Sequence, residues 1–136
     1  MISYNYKTKI FYRDIDQMGI VYYSRYFEFF EAARTELLSS IDLNVTEIES
    51  LGVYLPVVST ECTYINGANF EDNLLIQTEI KEIPRLKLVI HYMASKMDTG
   101  NPVVEGSTTH VFIKKSTRKP IRPPKEFLTK LKQHFQ

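Results

Sequence analysis

One run, SRYFEFFEAARTELLSSI (24–41), limits the fold more than any other part of the chain. Tyr26, Phe27, Phe30, Ala33, Leu37, Leu38 and Ile41 recur at helical spacing, with Glu28, Glu31, Arg34 and Glu36 between them. That pattern predicts a long helix with one broad apolar face. Ser24 stands where an N-cap is expected, and Glu28 and Glu31 sit early in the run, where the helix dipole favours negative charge. A helix this apolar has to be covered. Almost everything that follows it is strand-like, so the cover is a sheet.

The strand signals are YLPVVSTECTYI, LLIQTEIKEI, LKLVIHYMASKM and VVEGSTTHVFIKK, separated by NGANFEDN, PR and DTGNP. These separators hold the residues that turn chains, and their brevity predicts an antiparallel meander. Before the helix, SYNYKTKIFY sets Tyr4, Tyr6, Ile10 and Tyr12 on one face of an alternating run, which reads as a further strand. A short helix over 46–51 is expected, with Thr46 and Glu49 as a capping box and Gly52 as its stop. A terminal helix is expected in PPKEFLTKLKQHF, where Phe127, Leu128, Leu131 and Phe135 share a face. The reading is a single α+β domain over 1–136, a curved antiparallel sheet around one long central helix in the order β-α-β-β-β-β, with no repeat, low-complexity tract or linker.

Composition narrows the partners. Lys and Arg number 17 against 16 Asp and Glu, a net charge of +1, so there is no overall field to draw nucleic acid or an anionic membrane. A charged ligand has to be met locally. Cys62 is the single cysteine, no paired Cys/His framework exists, and His91, His110 and His134 show no converging spacing. No metal is expected, and the three histidines read as structural. The start MISYNYKTKI lacks the basic-then-apolar pattern of a signal peptide, and no apolar run is long enough to span a bilayer. A soluble, cytoplasmic protein is expected.

Between the first strand and the helix lies DIDQMGIVYYSRY, with two carboxylates and a glycine in an otherwise apolar neighbourhood. A carboxylate just ahead of a helix start can attack a carbonyl or activate water, and the unpaired N–H groups of the helix start can bind the oxyanion that forms. Gly19 is expected to allow close approach of backbone and ligand. A plainer reading is open on residue types alone: Asp14 and Asp16 can simply cap a strand-to-helix turn. The aromatic set Tyr26, Phe27, Phe29 and Phe30 reads as core, with Tyr26 also placed to line a pocket. Tyr54, Tyr64, Phe70, Tyr92 and Met93 are further pocket candidates whose direction the sequence does not give.

In this stretch Asp14, Asp16, Gly19, Ile20, Val21, Tyr22 and Tyr23 stand in the order of a known motif, and the chain resembles the hotdog-fold acyl-CoA thioesterases of the 4-hydroxybenzoyl-CoA thioesterase family. The resemblance covers nearly the whole length, since FEDNLLIQTEIKEI and VVEGSTTHVFIKKSTRKPIRPP also look like that family's strands. It implies hydrolysis of an acyl-CoA to a carboxylic acid and free CoA, without a cofactor other than the CoA of the substrate. Asp16 becomes the nucleophile or general base, and Tyr23 the oxyanion donor through its main-chain N–H. Gly19, Val21 and Tyr26 fall on the substrate side, and Asp14 holds the loop. Relatives acting on aliphatic acyl groups carry a histidine where this chain has Tyr23, so the resemblance leans toward the aryl branch. It also implies a homodimer with sites at the interface, pairing into a homotetramer.

Coenzyme A brings phosphates, for which Arg85 and Lys87, and Lys115 and Arg118 within KKSTRK, are the candidate contacts, although a solvated basic surface is the plainer reading of each lysine. The alternative to an enzyme is a module that binds an acyl-CoA or acyl-carrier protein without turnover.

Overall fold

A computed structural model describes residues 1–135. The elements are β1 (Ile2–Lys9), α1 (Arg25–Ser40), α2 (Val45–Ser50), β2 (Val53–Tyr54), β3 (Val57–Tyr64), β4 (Asn73–Ile80), β5 (Lys87–Lys96), β6 (Pro102–Lys114), β7 (Pro120–Ile121) and α3 (Lys125–Gln133). One antiparallel sheet runs β1-β4-β5-β6 and is completed by β2, β3 and β7, which all pair with β6. The long helix lies on its inner face, which is the hotdog arrangement.

The strands alternate as a one-sided sheet must. Leu74, Ile76, Thr78 and Ile80 of β4, and Leu88, Ile90, Tyr92 and Ala94 of β5, all point inward and are buried. From the helix, Tyr26, Phe30, Ala33, Leu37 and Leu38 meet them. Phe30 stacks flat on Tyr92, with ring centroids 4.3 Å apart and planes 9° from parallel. The helix comes this close because Gly106 lies beneath it. A Cβ there would stand 2.8 Å from the Phe30 ring and 2.4 Å from the Glu61 carbonyl. At the far end, Phe127 of α3 packs edge-on against Phe112 of β6, 4.9 Å between centroids.

Several expectations change. β3 and β4 are not neighbours: β3 lies beside β6 at one edge, β4 beside β1. The connection 65–72 therefore crosses under the start of α1 instead of turning a hairpin, tied by Val21 N–H to the Ala68 carbonyl and Ile10 N–H to the Asp72 carbonyl. The strand read from Tyr54 onward is broken at Leu55–Pro56, because proline cannot donate to the ladder. Tyr12 leaves the β1 face for a single 3₁₀ turn, Tyr12–Asp14, and is exposed. Phe27 is also exposed, on the side of α1 turned from the sheet. Ser24 occupies the N-cap of α1 without a side-chain cap bond. The cap of α2 is Asn44, whose side chain accepts from Glu47 N–H, not Thr46.

Inside the core lies a polar relay. The Tyr92 hydroxyl is 2.7 Å from Thr108 Oγ1, Thr108 Oγ1 is 2.9 Å from His110 Nε2, and His110 Nδ1 is 3.2 Å from the Leu55 carbonyl. Burial, reinforced by the nearby Arg34 charge and opposed by the Leu55 bond, brings the His110 ring down to about 4, so it is neutral near pH 7. The carbonyl can only accept, which places the proton of that neutral ring on Nδ1. Nε2 then accepts from Thr108, and Thr108 accepts from Tyr92. The direction of the whole relay follows from one carbonyl, and it also braces the break at Leu55–Pro56.

The relay gives a pH dependence with a definite sign. Between about pH 6.5 and 4 the unfolded chain takes a proton on His110 that the folded chain excludes. Stability is therefore full above pH 6.5 and falls as pH drops toward 4, by about 3 kcal/mol at most. Urea midpoints at pH 7.5 and 4.5 should show this loss in the wild type and a smaller one in His110→Gln; equal losses in both would contradict it.

Candidate active site

The loop between β1 and α1 is stitched together by its own acidic residues. Asp14 is buried, and its Oδ2 accepts the Phe11 N–H at 2.9 Å. Its main-chain carbonyl accepts the Tyr22 N–H at 2.9 Å, and its Oδ1 lies 3.8 Å from Arg25 Nε. Asp14 thus holds both ends of the loop against the first turn of α1, the part anticipated for it.

Asp16 stands differently. Its main chain forms a tight turn, donating to the Ile20 carbonyl and accepting from Gly19 N–H. Its side chain is half-buried, and Oδ1 accepts the Met18 N–H at 2.7 Å. Among the described residues Oδ2 has no hydrogen-bond partner. One oxygen is therefore fixed and the other is free. Gly19 adopts φ +81°, a left-handed conformation that disfavours side chains, while a Cβ there would meet nothing within 4 Å. Within this chain the glycine serves the turn, and it does not line the cavity.

Beside Asp16 opens a cavity of about 290 Å³, walled by Val21, Tyr23, Tyr26, Tyr64 and the loop Ile65–Gly67. Val21 and Tyr26 are buried and form its inner wall. Burial raises the Tyr26 hydroxyl, with Cys62 and Tyr64 adding to the effect, so it stays protonated. The Tyr64 hydroxyl, pushed up to about 12 by burial and then by Cys62, donates to the Tyr23 carbonyl at 2.9 Å. This bond holds the Tyr23–Ser24 peptide, next to the one that carries the Tyr23 N–H, at the start of α1. The Tyr23 N–H has no acceptor among the described residues. The cavity therefore joins a carboxylate oxygen to an unspent backbone donor at a helix start.

Of the residues expected to touch substrate, Asp16, Val21, Tyr23 and Tyr26 come together here. Arg85, Lys87, Lys115 and Arg118 do not. The 81–86 turn and the end of β6 lie at the opposite end of the sheet, up to about 35 Å from the Val104 end at the usual strand rise. Arg85 and Lys87 are exposed, whereas Lys115 and Arg118 each lie over the Tyr54 ring at 5.3 Å. Among the other pocket candidates, Tyr92 is core, Phe70 packs on Tyr12, and only Tyr64 reaches this cavity. The sequence reads Ile65 as the end of a strand and Asn66 and Gly67 as a turn, because their place beside Asp16 follows from the crossover of β3 and β4. Among the described residues no group of three or more His, Cys, Asp or Glu is arranged to hold a metal ion, and no helix is long and apolar enough to cross a membrane.

One long helix packed on a curved antiparallel sheet makes this a protein of the hotdog class. Residues 12–131 match the thioesterase-like superfamily, and the chain belongs to that family. It is 28% identical to the Escherichia coli acyl-CoA thioester hydrolase YbgC over 131 residues, 96% of each chain. The crystal structure of a DHNA-CoA thioesterase from Staphylococcus aureus superposes with a TM-score of 0.82 at 28% identity, covering 90% of this chain and 81% of that one. That of a 1,4-dihydroxy-2-naphthoyl-CoA thioesterase from Synechocystis gives 0.85 at 25% identity, covering 95% of each.

Replacing Tyr64 with Phe removes the bond that holds the Tyr23 carbonyl. The expected cost is about 1 kcal/mol of stability with a several-fold fall in turnover; an unchanged melting temperature together with unchanged turnover would refute that role.

Proposed function

We propose that the protein hydrolyses an acyl-CoA thioester to a carboxylic acid and free CoA, with Asp16 as nucleophile or general base and the Tyr23 N–H as oxyanion donor. The observation that carries this reading is the free Oδ2 of Asp16 sharing a cavity with an unspent N–H at the start of α1. As oxygen adds to the thioester carbon, the carbonyl oxygen gains negative charge, which the N–H and the helix dipole stabilise. The C–S bond then breaks and the sulfur leaves as thiolate, taking up a proton. The imidazole that aliphatic relatives carry at position 23 is replaced by a phenol ring, so the carboxylate acts without that partner.

The chain works as a dimer in this reading. β3 is paired on one side only and is exposed along most of its length, an unpaired ladder that a second copy can complete. A two-fold axis through the middle of β3 brings the far end of the partner's sheet toward Asp16. Basic residues that one chain holds far from its own carboxylate thereby come to the site of the other. The exposed pair Arg85 and Lys87, with Lys115 and Arg118 beyond, then meets the CoA phosphates, arginine in bidentate fashion. Pairing of dimers into a tetramer and a cytoplasmic setting complete the proposal.

Free-thiol release from benzoyl, short and long fatty acyl-CoA tests the assignment. Asp16→Asn keeps the shape and should lower kcat by about 10²–10⁴-fold. Wild-type-like turnover in the variant would refute Asp16, and saturable binding without thiol release in the wild type would favour the binding module.

A further inference from the structure

The crossover 65–72 is tied to the sheet at both of its ends. The N–H groups of Ile65 and Asn66 both donate to the Val103 carbonyl of β6, and Asn66 Nδ2 donates to the Pro102 carbonyl at 2.8 Å. At the other end Glu71 N–H donates to the Ile10 carbonyl at 3.0 Å, and Ile10 N–H to the Asp72 carbonyl at 2.9 Å. Asp72 Oδ2 accepts the Asn69 N–H and lies 3.4 Å from Lys96 Nζ of β5. The crossover is thus held by β6, by the end of β1 and by β5, and none of these bonds involves the Asp16 turn.

That turn meets the middle of the crossover through Ile20. The residue forms an antiparallel bridge with Asn69, and its neighbour Val21 donates to the Ala68 carbonyl at 2.9 Å. The Ile20 carbonyl accepts the Asp16 N–H at 2.9 Å, so the backbone that carries the carboxylate hangs on Ile20 directly. The Ile20 side chain closes on Gly67, and there the fit has no slack. A Cβ on Gly67 would stand 2.9 Å from Ile20 Cγ2, 3.4 Å from its Cβ and 3.5 Å from its Cδ1. These three nearest atoms all belong to Ile20, so a methyl added at position 67 points at that side chain.

Carbon atoms in contact settle at about 3.5–4.0 Å, so the added methyl has to be cleared by about half an ångström or more. Cγ2 sits on a branched β-carbon whose χ1 is stiff, and it cannot swing aside at little cost. The movement therefore passes to the backbone. The crossover is fixed by three strands, whereas positions 17–19 of the turn are exposed. The turn is the part that gives, and Asp16 moves with it.

We infer that Gly67 is a positioning residue for Asp16: its missing side chain lets Ile20 seat against the crossover, and that contact sets where the carboxylate stands relative to the Tyr23 N–H across their shared cavity. The inference rests on the proposed role of Asp16.

The test is a double-mutant cycle on hydrolysis of whichever of benzoyl, short or long fatty acyl-CoA the wild type turns over fastest. Gly67→Ala should lower kcat about tenfold, as expected for a sub-ångström misplacement of a reacting group, and leave KM near the wild-type value. In the Ile20→Leu background, which lacks Cγ2, the same change should cost nothing. In the Ile20→Val background, which keeps Cγ2 and loses only Cδ1, it should cost the full amount. Equal costs in all three backgrounds, wild-type kcat in Gly67→Ala, or a rise in KM without loss of kcat would overturn the inference. So would a loss of kcat that only follows a loss of folded protein, read by circular dichroism at the assay temperature. Binding of the same thioester to Asp16→Asn, with and without Gly67→Ala, should give equal affinities; a weaker affinity with Gly67→Ala would make position 67 a substrate contact and contradict the positioning role. Failure of the Asp16 assignment shows separately, as wild-type-like turnover in Asp16→Asn, whatever the cycle gives.

Discussion

The closeness of α1 to its sheet is the constraint on which the rest of this structure depends. Phe30 lies flat on Tyr92 because position 106 carries no side chain, and a Cβ there would collide with the Phe30 ring and a β3 carbonyl together. Interiors packed this tightly transmit small displacements instead of absorbing them. The start of α1 is one end of that rigid body. A shift of the helix moves Tyr23, its N–H and the loop that carries Asp16. The geometry of the candidate site is thus an outcome of core packing several turns away.

Two carboxylates two residues apart then divide the work by environment. Asp14 is buried and fully occupied by the Phe11 N–H and Arg25, so it fixes the loop. Asp16, on the next outward position of the same turn, spends one oxygen on Met18 N–H and keeps the other available. Rigid support behind a half-free carboxylate is what orientation-dependent catalysis requires. The third polar system, from Tyr92 to Leu55, is structural at its core and leaves Arg34 facing a cavity.

The amino-acid pattern made the helix, the late strands and the Asp14/Asp16 loop legible, since periodicity and turn chemistry are local properties. The place of β3 was not legible. Its residues alternate like any strand, and only the crossover through 65–72, tied to Val21 and Ile10 by backbone bonds, puts it beside β6. For the same reason Ile65, the end of a strand run, and the turn residues Asn66 and Gly67 gave no sign that they wall the cavity. Tyr12 and Phe27 looked internal by spacing, yet the chain bends away at the 3₁₀ turn and the helix shows Phe27 to solvent. The basic clusters illustrate the same limit: charge makes them candidate phosphate contacts, but the start of β5 and the end of β6 hold them away from their own Asp16. In the proposed dimer the basic clusters of one chain come to the Asp16 of the other.

The most direct test of the account is a crystal structure of Asp16→Asn with an acyl-CoA bound. The account predicts the thioester carbonyl oxygen within hydrogen-bond distance of the Tyr23 N–H, its carbon facing the side chain at position 16, and a second copy of the chain paired along β3 closing the site. A thioester bound away from the start of α1, or a complete site within one chain, would contradict it.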